Sequence, residues 1–323
     1  MQMLKIDSTE LLPAAWCYNP SIIQYKKKLL FAYRRVYKID QNDWKMYSRV
    51  CICELDKSLA PKGKHTELQF KPIFANSLNH QEDPRLFLYK DELYCSYINS
   101  THDYGSPSQG LCKLNDKYEV VENWFIDYGN NINGSVVPIV DTICLRPGVF
   151  CSAPPSKISN GVEKNWVFFQ VGDKLNAIYE TNPLQVIEID LSSSKGKLLS
   201  KSSTKLDWQW GKLSGGTSPI LMNGEYHTFF HSFYNNEEYK RRVYTAGYMA
   251  FDKNYQIKRI SKTPILHADK TCFETSINHS VVFPGGVLYK DGKWTIAYGV
   301  DDQHCNLAIV DDEEVQTNCQ IFI

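Results

Sequence analysis

Residues 281–303 read VVFPGGVLYKDGKWTIAYGVDDQ. An apolar run passes through a double glycine into VLYK, turns on Asp291 and Gly292, and returns as KWTIAYGV before two adjacent aspartates, Asp301 and Asp302. An apolar strand, a turn of Asp, Gly and Lys, and a second strand ending in an aromatic is the pattern of a β-hairpin with a short loop. The pattern occurs four more times upstream: SIIQYKKKLLFAYRR from Ser21, PRLFLYKDELYCSYIN from Pro84, WVFFQVGDKLNAIYET from Trp166 and SPILMNGEYHTFFHS from Ser218. Further strand-like runs follow, among them SRVCICELD, QGLCKLND, LQVIEIDL, RVYTAGYMAFD and CNLAIVDD. Helical periodicity is weak throughout, and tyrosine, tryptophan and phenylalanine fall at strand positions. Five hairpins with return strands, spaced roughly 50–80 residues apart, predict blades of four strands each. The expected fold is all-β, a single five-bladed β-propeller over residues 1–323. A pair of β-sandwiches is the competing reading, but it does not require the same hairpin five times.

Composition narrows the partners. Lysine plus arginine and aspartate plus glutamate both number 36, so the formal charge is zero and no field is available to hold nucleic acid or an anionic membrane. The start, MQMLKIDSTELLPAAWCY, lacks a long apolar core and a small-residue cleavage site, and no segment approaches the length of a membrane span. A soluble, cytoplasmic protein is expected, and the sequons at Asn99, Asn133 and Asn278 are read as chance matches. The ten cysteines contain no CxxC pair; Cys51 and Cys53 share a strand face, and buried, reduced thiols are expected. Neither the cysteines nor the eight histidines show ligand spacing, so no metal and no cofactor are expected. Oligomeric state is not legible.

A propeller brings polar groups beside its innermost strands to one central funnel, from far apart in sequence. The groups flanking the hairpins are Asn19 and Arg34, then Glu82, Asp83 and Arg85, then Glu163 and Lys164, then Lys212 and His231, and last Asp301 and Asp302. Carboxylates and cations among tryptophans and tyrosines suit a sugar site: acids protonate a glycosidic oxygen, and planar side chains stack on pyranose faces. Alternation sends one of Arg34 and Arg35 inward, and the spacing from Asn19 selects Arg34. The glycines of Gly215-Gly216-Thr217 do not make a P-loop, since the required spacing and the following GK[ST] are absent.

These segments also carry a family resemblance. NPSII at Asn19, EDPRLF at Glu82, GKLSGGTSPIL at Gly211, HS at His231, RRVYTAGYMAFD at Arg241, PIL at Pro264 and the opening stretch occur in order over about nine-tenths of the chain. Together they resemble glycoside hydrolase family 130, which contains β-mannoside phosphorylases and hydrolases on a five-bladed propeller, and related propeller mannosyltransferases. The resemblance implies that Asp83 is the proton donor, acting in the phosphorylases through a sugar hydroxyl. It implies that Asn19, Arg34, Lys212 and Asp302 hold the sugar bearing the cleaved bond, with Asp301 facing away. Arg85, beside Asp83 in the same motif, is placed with the substrate-binding groups. His231 matches a phosphate-contacting position, and Tyr244 and Arg242 stand with it. The bland alternatives are an Asx-turn for Asp83, a tight turn at Lys212, a structural histidine at His231, and stacking or surface pairing for Tyr244 and Arg242.

The departures bear on chemistry. Where a phosphate-gripping arginine is expected in the middle blade, the strand end offers Glu180 and Thr181, and a carboxylate there repels phosphate. Hydrolysis would use Asp83 as general acid and a second carboxylate, Glu180 or Glu274, to activate water with inversion. Phosphorolysis would use inorganic phosphate instead. A transferase would expel an activated leaving group, such as that of a nucleotide sugar, and a non-catalytic glycan-binding propeller is the reading from another class. The expected partner is in every case an oligosaccharide or glycoside.

Overall fold

The computed structural model describes residues 1–6, 16–40, 43–70, 79–101, 108–126, 164–191, 195–237, 241–268 and 279–322. All five hairpins of the repeat close through two-residue loops, pairing Tyr25 with Lys28, Tyr89 with Glu92, Val171 with Lys174, Met222 with Glu225 and Lys290 with Lys293. Lys90-Asp91, Asn223-Gly224 and Asp291-Gly292 have positive φ at both loop positions, the turn whose twist matches that of the flanking strands. Asparagine, aspartate and glycine tolerate that backbone best, which is why the turns could be found in the sequence.

The chain is an all-β propeller. Trp16–Tyr25, Lys28–Asp40, Asp43–Leu55 and Pro61–Glu67 form one four-stranded antiparallel sheet in chain order. Asn79–Tyr89, Glu92–Thr101, Ser108–Leu114 and Val120–Ile126 form a second, and Val167–Val171, Lys174–Thr181, Leu184–Asp190 and Lys195–Lys201 a third. The last four-stranded sheet takes Val282–Lys290, Lys293–Val300 and His304–Asp311 from the end of the chain and its outer strand, Gln2–Ile6, from the beginning. That exchange ties the two ends of the chain together.

The expectation of a five-bladed propeller with four strands in each blade is corrected here: four such blades are present. Four sheets have the four-stranded form, whereas seven strands from residues 212–280 and an eighth, Cys319–Ile321, build an eight-stranded sheet around the long hairpin Glu225–Asn236 and Arg241–Asp252. The extra strands are short: Lys212–Ser214 and Ile220–Met222 share one edge of the hairpin. Leu266–His267 and His279–Ser280 pair with Arg241–Asp252, and Cys319–Ile321 adds to the far side. A helix at Asp312–Thr317, which the sequence reading missed, carries the chain from the last four-stranded sheet back to this one.

The core lies between sheets rather than inside them. Leu30, Val50 and Ile52 of the first sheet meet Leu86, Tyr97 and Cys112 of the second. Phe87 and Leu111 of the second meet Trp166 and Phe168 ahead of and within the third. The eight-stranded sheet packs on both its neighbours, through Phe230 and Met249 on one side and Phe229 and Tyr248 on the other. Ile22, Phe31 and Cys51 of the first sheet meet Ala297, Cys305 and Leu307 of the last, which closes the circle. At the centre the inner strands touch backbone to backbone: a Cβ on Gly285 would lie 2.4 Å from the Pro20 carbonyl oxygen. Only glycine permits that approach. Seven described cysteines are buried and free, and no described helix is long and apolar enough to cross a membrane.

Candidate functional site

Two inner strands carry the same irregularity at the same height. Pairing jumps from Tyr18–Arg34 to Ser21–Ala32, and from Glu82–Ile98 to Arg85–Ser96, so that Asn19-Pro20 and Asp83-Pro84 are each bulged against one residue of the partner strand. Asn19 and Asp83 take the left-handed conformation, φ 49° and 53°. Asparagine and aspartate enter that region more readily than other non-glycine residues, and a bulge re-aims the side chain it carries. Both side chains therefore turn into a cleft of about 490 Å³ that receives residues from all five sheets.

On one wall, Asn19 Nδ2 donates to Asp83 Oδ1 at 2.8 Å, and Arg34 Nη1 approaches the same oxygen at 3.5 Å. Arg34 Nη2 reaches Glu82 Oε1 at 3.1 Å, and the guanidinium lies 5.0 Å from the Tyr18 ring centre. Burial works against charge on Arg34, but Glu82, Tyr18, Asp83 and Asp302 outweigh it and hold its pKa above the ordinary value. Burial pushes the Tyr18 hydroxyl up, so it stays neutral. Asp83 Oδ1 thus carries the contacts to protein donors, and among the described residues Oδ2 receives none. Asp302 lines the cleft. Asp301 is buried behind it, its Oδ1 accepting from the Val281 amide at 2.9 Å.

Arg85 was expected to touch substrate, and the structure corrects this. It does not line the cleft; it is fully buried beneath it. Its Nε donates to the Gly216 carbonyl at 2.7 Å, Nη1 to the Asp83 carbonyl at 3.2 Å, and Nη2 to Asn165 Oδ1 at 3.0 Å and the Gly215 carbonyl at 3.3 Å. Phe283 covers the guanidinium at 5.3 Å. Burial lowers its pKa to about 10, so it remains charged at neutral pH. The fork geometry of arginine allows one side chain to fasten the second sheet, Asn165 and the glycine turn together. Motif proximity could not separate such a support from a ligand contact. Asn165, φ 65° and buried against this clamp while lining the cleft, is the residue sequence reasoning missed; an asparagine ahead of a strand is too common to signal it.

The opposite wall is basic. Lys212 pairs with Phe233, and Phe233 with Tyr244, so these side chains share a face of the eight-stranded sheet with His231, two residues before Phe233, and with Arg242, two before Tyr244. The Arg242 guanidinium stacks 4.7 Å from the Phe233 ring centre. Lys164 and Glu180 also line the cleft, and Gln185 Nε2 donates to Glu180 Oε2. His231 is buried; its ring lies 4.6 Å from Phe283 and stacks on Tyr244 at 6.1 Å, with Nδ1 2.8 Å from the Gly215 carbonyl oxygen. Trp166, Tyr179, Phe233 and Tyr244 supply planar faces. Of the sequence-derived candidates, Asn19, Arg34, Asp83, Glu180, Lys212, His231, Tyr244 and Asp302 meet here. Glu163 and Glu274 lie outside the described residues. Among the described residues, no group of three or more His, Cys, Asp or Glu is placed to hold a metal ion.

Comparison with known proteins agrees with this picture. A family model described as β-1,4-mannooligosaccharide phosphorylase, of glycoside hydrolase family 130, matches residues 185–320. Among solved structures, the β-1,2-mannobiose phosphorylase of Listeria innocua in complex with β-1,2-mannobiose superposes with a TM-score of 0.63 at 15% identity, covering 98% of this chain and 99% of that one. A structure described under the GH130 mannoside phosphorylases that include hydrolases of β-1,2 mannosidic linkages in Candida mannan gives 0.60 at 13%, covering 96% and 91%. The GDP-Man-dependent mannosyltransferase MPT-1 of Leishmania mexicana gives 0.55 at 15%, covering 96% and 89%. No curated protein matches. The family resemblance read from the motifs is borne out, and the likenesses in structure establish the shared fold.

Proposed function

We propose that this chain is an enzyme that cleaves β-mannoside-type glycosides with inversion, Asp83 supplying the proton that lets the glycosidic bond break. In this reading the eight-stranded sheet is the fifth blade, and it brings the nucleophile's wall to the cleft. The observation that carries the reading is the division of that cleft: a carboxylate held by Asn19 and Arg34 on one side, and Lys164, Lys212, Arg242 and Tyr244 on the other.

Inverting cleavage needs these two walls. The sugar lies between them, stacked on the aromatic faces, with Asp302 and Arg34 on its hydroxyls. As the bond from the anomeric carbon to the leaving oxygen breaks, that oxygen takes a proton delivered from Asp83, directly or through a sugar hydroxyl. The nucleophile's oxygen bonds the anomeric carbon from the opposite face. Three cations against the single carboxylate Glu180, itself hydrogen-bonded by Gln185, favour inorganic phosphate as that nucleophile. The matched phosphorylase family supports the same choice over transfer from a nucleotide sugar.

The test is Asp83→Asn. The amide keeps the shape, so affinity and thermal stability change little while turnover falls about a hundredfold to ten-thousandfold, the usual contribution of positioned proton transfer. A mannoside with an activated leaving group needs little protonation and recovers most of the lost rate. Near-normal turnover of an unactivated substrate would overturn the assignment and leave Asp83 as a bulge residue.

A further inference from the structure

Among the cations of the basic wall stands a neutral imidazole. His231 Nδ1 lies 2.8 Å from the Gly215 carbonyl oxygen, and that oxygen also receives Arg85 Nη2 at 3.3 Å. A carbonyl oxygen can only accept, so Nδ1 must carry the hydrogen. With Nδ1 protonated and the ring neutral, Nε2 holds a lone pair, and no described residue bonds it. Because His231 lines the cleft, this lone pair is what the ring offers a ligand.

The charged neighbours keep the second proton away. Arg85 stands behind the Gly215 carbonyl, Lys164 approaches from the segment before the third sheet, Tyr244 and Phe283 cover the ring, and Asp83 is the one opposing charge. Burial first, and Arg85 next, depress the His231 pKa to about 3. We infer that His231 is a fixed hydrogen-bond acceptor that selects for a ligand oxygen still carrying its hydrogen, and so distinguishes protonated oxyanions or sugar hydroxyls from fully deprotonated anions. The inference rests on the reading of this cleft as a glycoside-cleaving site, and it adds the chemistry of the group that meets the histidine. Lysine and arginine attract any anion of suitable size. An acceptor set among them does not: phosphate and arsenate at neutral pH retain at least one O–H, whereas sulfate retains none and would place an oxygen lone pair against that of Nε2.

Two measurements on the full chain test this. Nitrogen-15 NMR of the imidazoles is expected to show His231 with a protonated Nδ1 and a bare Nε2 from pH 5 to pH 8. A protonated Nε2 would overturn the inference whatever the enzyme cleaves. Calorimetric titration with phosphate, arsenate and sulfate is expected to show sulfate binding at least about tenfold more weakly, since a hydrogen bond involving a charged group contributes about 1.5–3 kcal/mol and each 1.4 kcal/mol is tenfold. His231→Gln, whose amide rotates to offer an N–H, is expected to bring the anions within about threefold of one another. Equal binding of phosphate and sulfate by the unaltered chain would overturn the inference. The source of the hydrogen is read from the Nε2 resonance. A shift on adding phosphate assigns the site to the nucleophile. A shift on adding mannobiose alone assigns it to a sugar hydroxyl, in which case the choice of phosphate as nucleophile fails while the acceptor role stands.

Discussion

Gly299→Ala separates the geometry of Asp83, the proposed acid, from the stability of the propeller. Gly299 lies on Lys293–Val300, paired with Phe283 and Cys305, where the last sheet presses on the bulge of the first. A Cβ at this position would sit 1.9 Å from Asn19 Oδ1, 2.7 Å from Asn19 N and 3.0 Å from Asn19 Cα. The amide can rotate away, but the backbone nitrogen moves only if the two sheets part. Over-packing of this kind costs about 1–3 kcal/mol. For a chain of this size, roughly 2 °C of Tm is lost per kcal/mol. Rotation of Asn19 also breaks its 2.8 Å bond to Asp83. A hydrogen bond to a charged group is worth about 1.5–3 kcal/mol, so kcat should fall about tenfold to a hundredfold even where the protein is fully folded. Gly292→Ala is the control: its Cβ meets nothing, but its φ of 74° penalises alanine, so it should lower Tm and leave kcat alone. Steady-state kinetics and calorimetric melting of both variants decide the matter. Wild-type kcat in a destabilised Gly299→Ala protein would refute the role of the Asn19–Asp83 bond.

Arg85→Lys keeps a charge but loses the planar fork, so Gly216 O, Asp83 O and Asn165 Oδ1 are not all reached from one ammonium, while Gly215 O keeps its bond from His231 Nδ1. Stability in urea should drop by about 2–4 kcal/mol, with kcat falling more than KM rises, because Arg85 supports the cleft without lining it. His231 is neutral in the folded state and titrates below its unfolded value, so the unfolded chain binds the extra proton as pH falls. Its stability contribution is present above about pH 6.5 and is lost progressively toward pH 3. Melting curves of the wild type and His231→Gln should converge as pH falls from 6.5 toward 4; parallel curves would refute the buried neutral state.

The turns were readable from the sequence because each needs a backbone that few residues tolerate. Asp291-Gly292 and Asn223-Gly224 mark hairpins because φ is positive at both positions; Asn19 and Asp83 were picked out by their motifs, and only the strand pairing shows that Asn19-Pro20 and Asp83-Pro84 are bulges that aim a side chain. The eight-stranded sheet was not readable. Lys212–Ser214, Leu266–His267 and His279–Ser280 are two or three residues long, too short for a period of two to declare itself, and their pairing is set by tertiary contact. Arg85 was misplaced for a related reason. It follows Asp83 and Pro84 in a polar motif, and only the packing of Gly215, Gly216 and Phe283 around it shows that it faces the core. The order of charges along the chain likewise hid the two-walled cleft, since Lys212, Phe233 and Tyr244 align only through strand register.

The most direct measurement is the anomeric form of the first product. With β-linked mannobiose and inorganic phosphate, phosphorus and proton NMR at early times should show α-mannose 1-phosphate growing with the wild-type chain and absent with Asp83→Asn. Initial release of α-mannose would keep inversion and Asp83 but replace phosphate by water. A β-configured product, or cleavage that survives Asp83→Asn undiminished, would contradict the mechanism built on these residues.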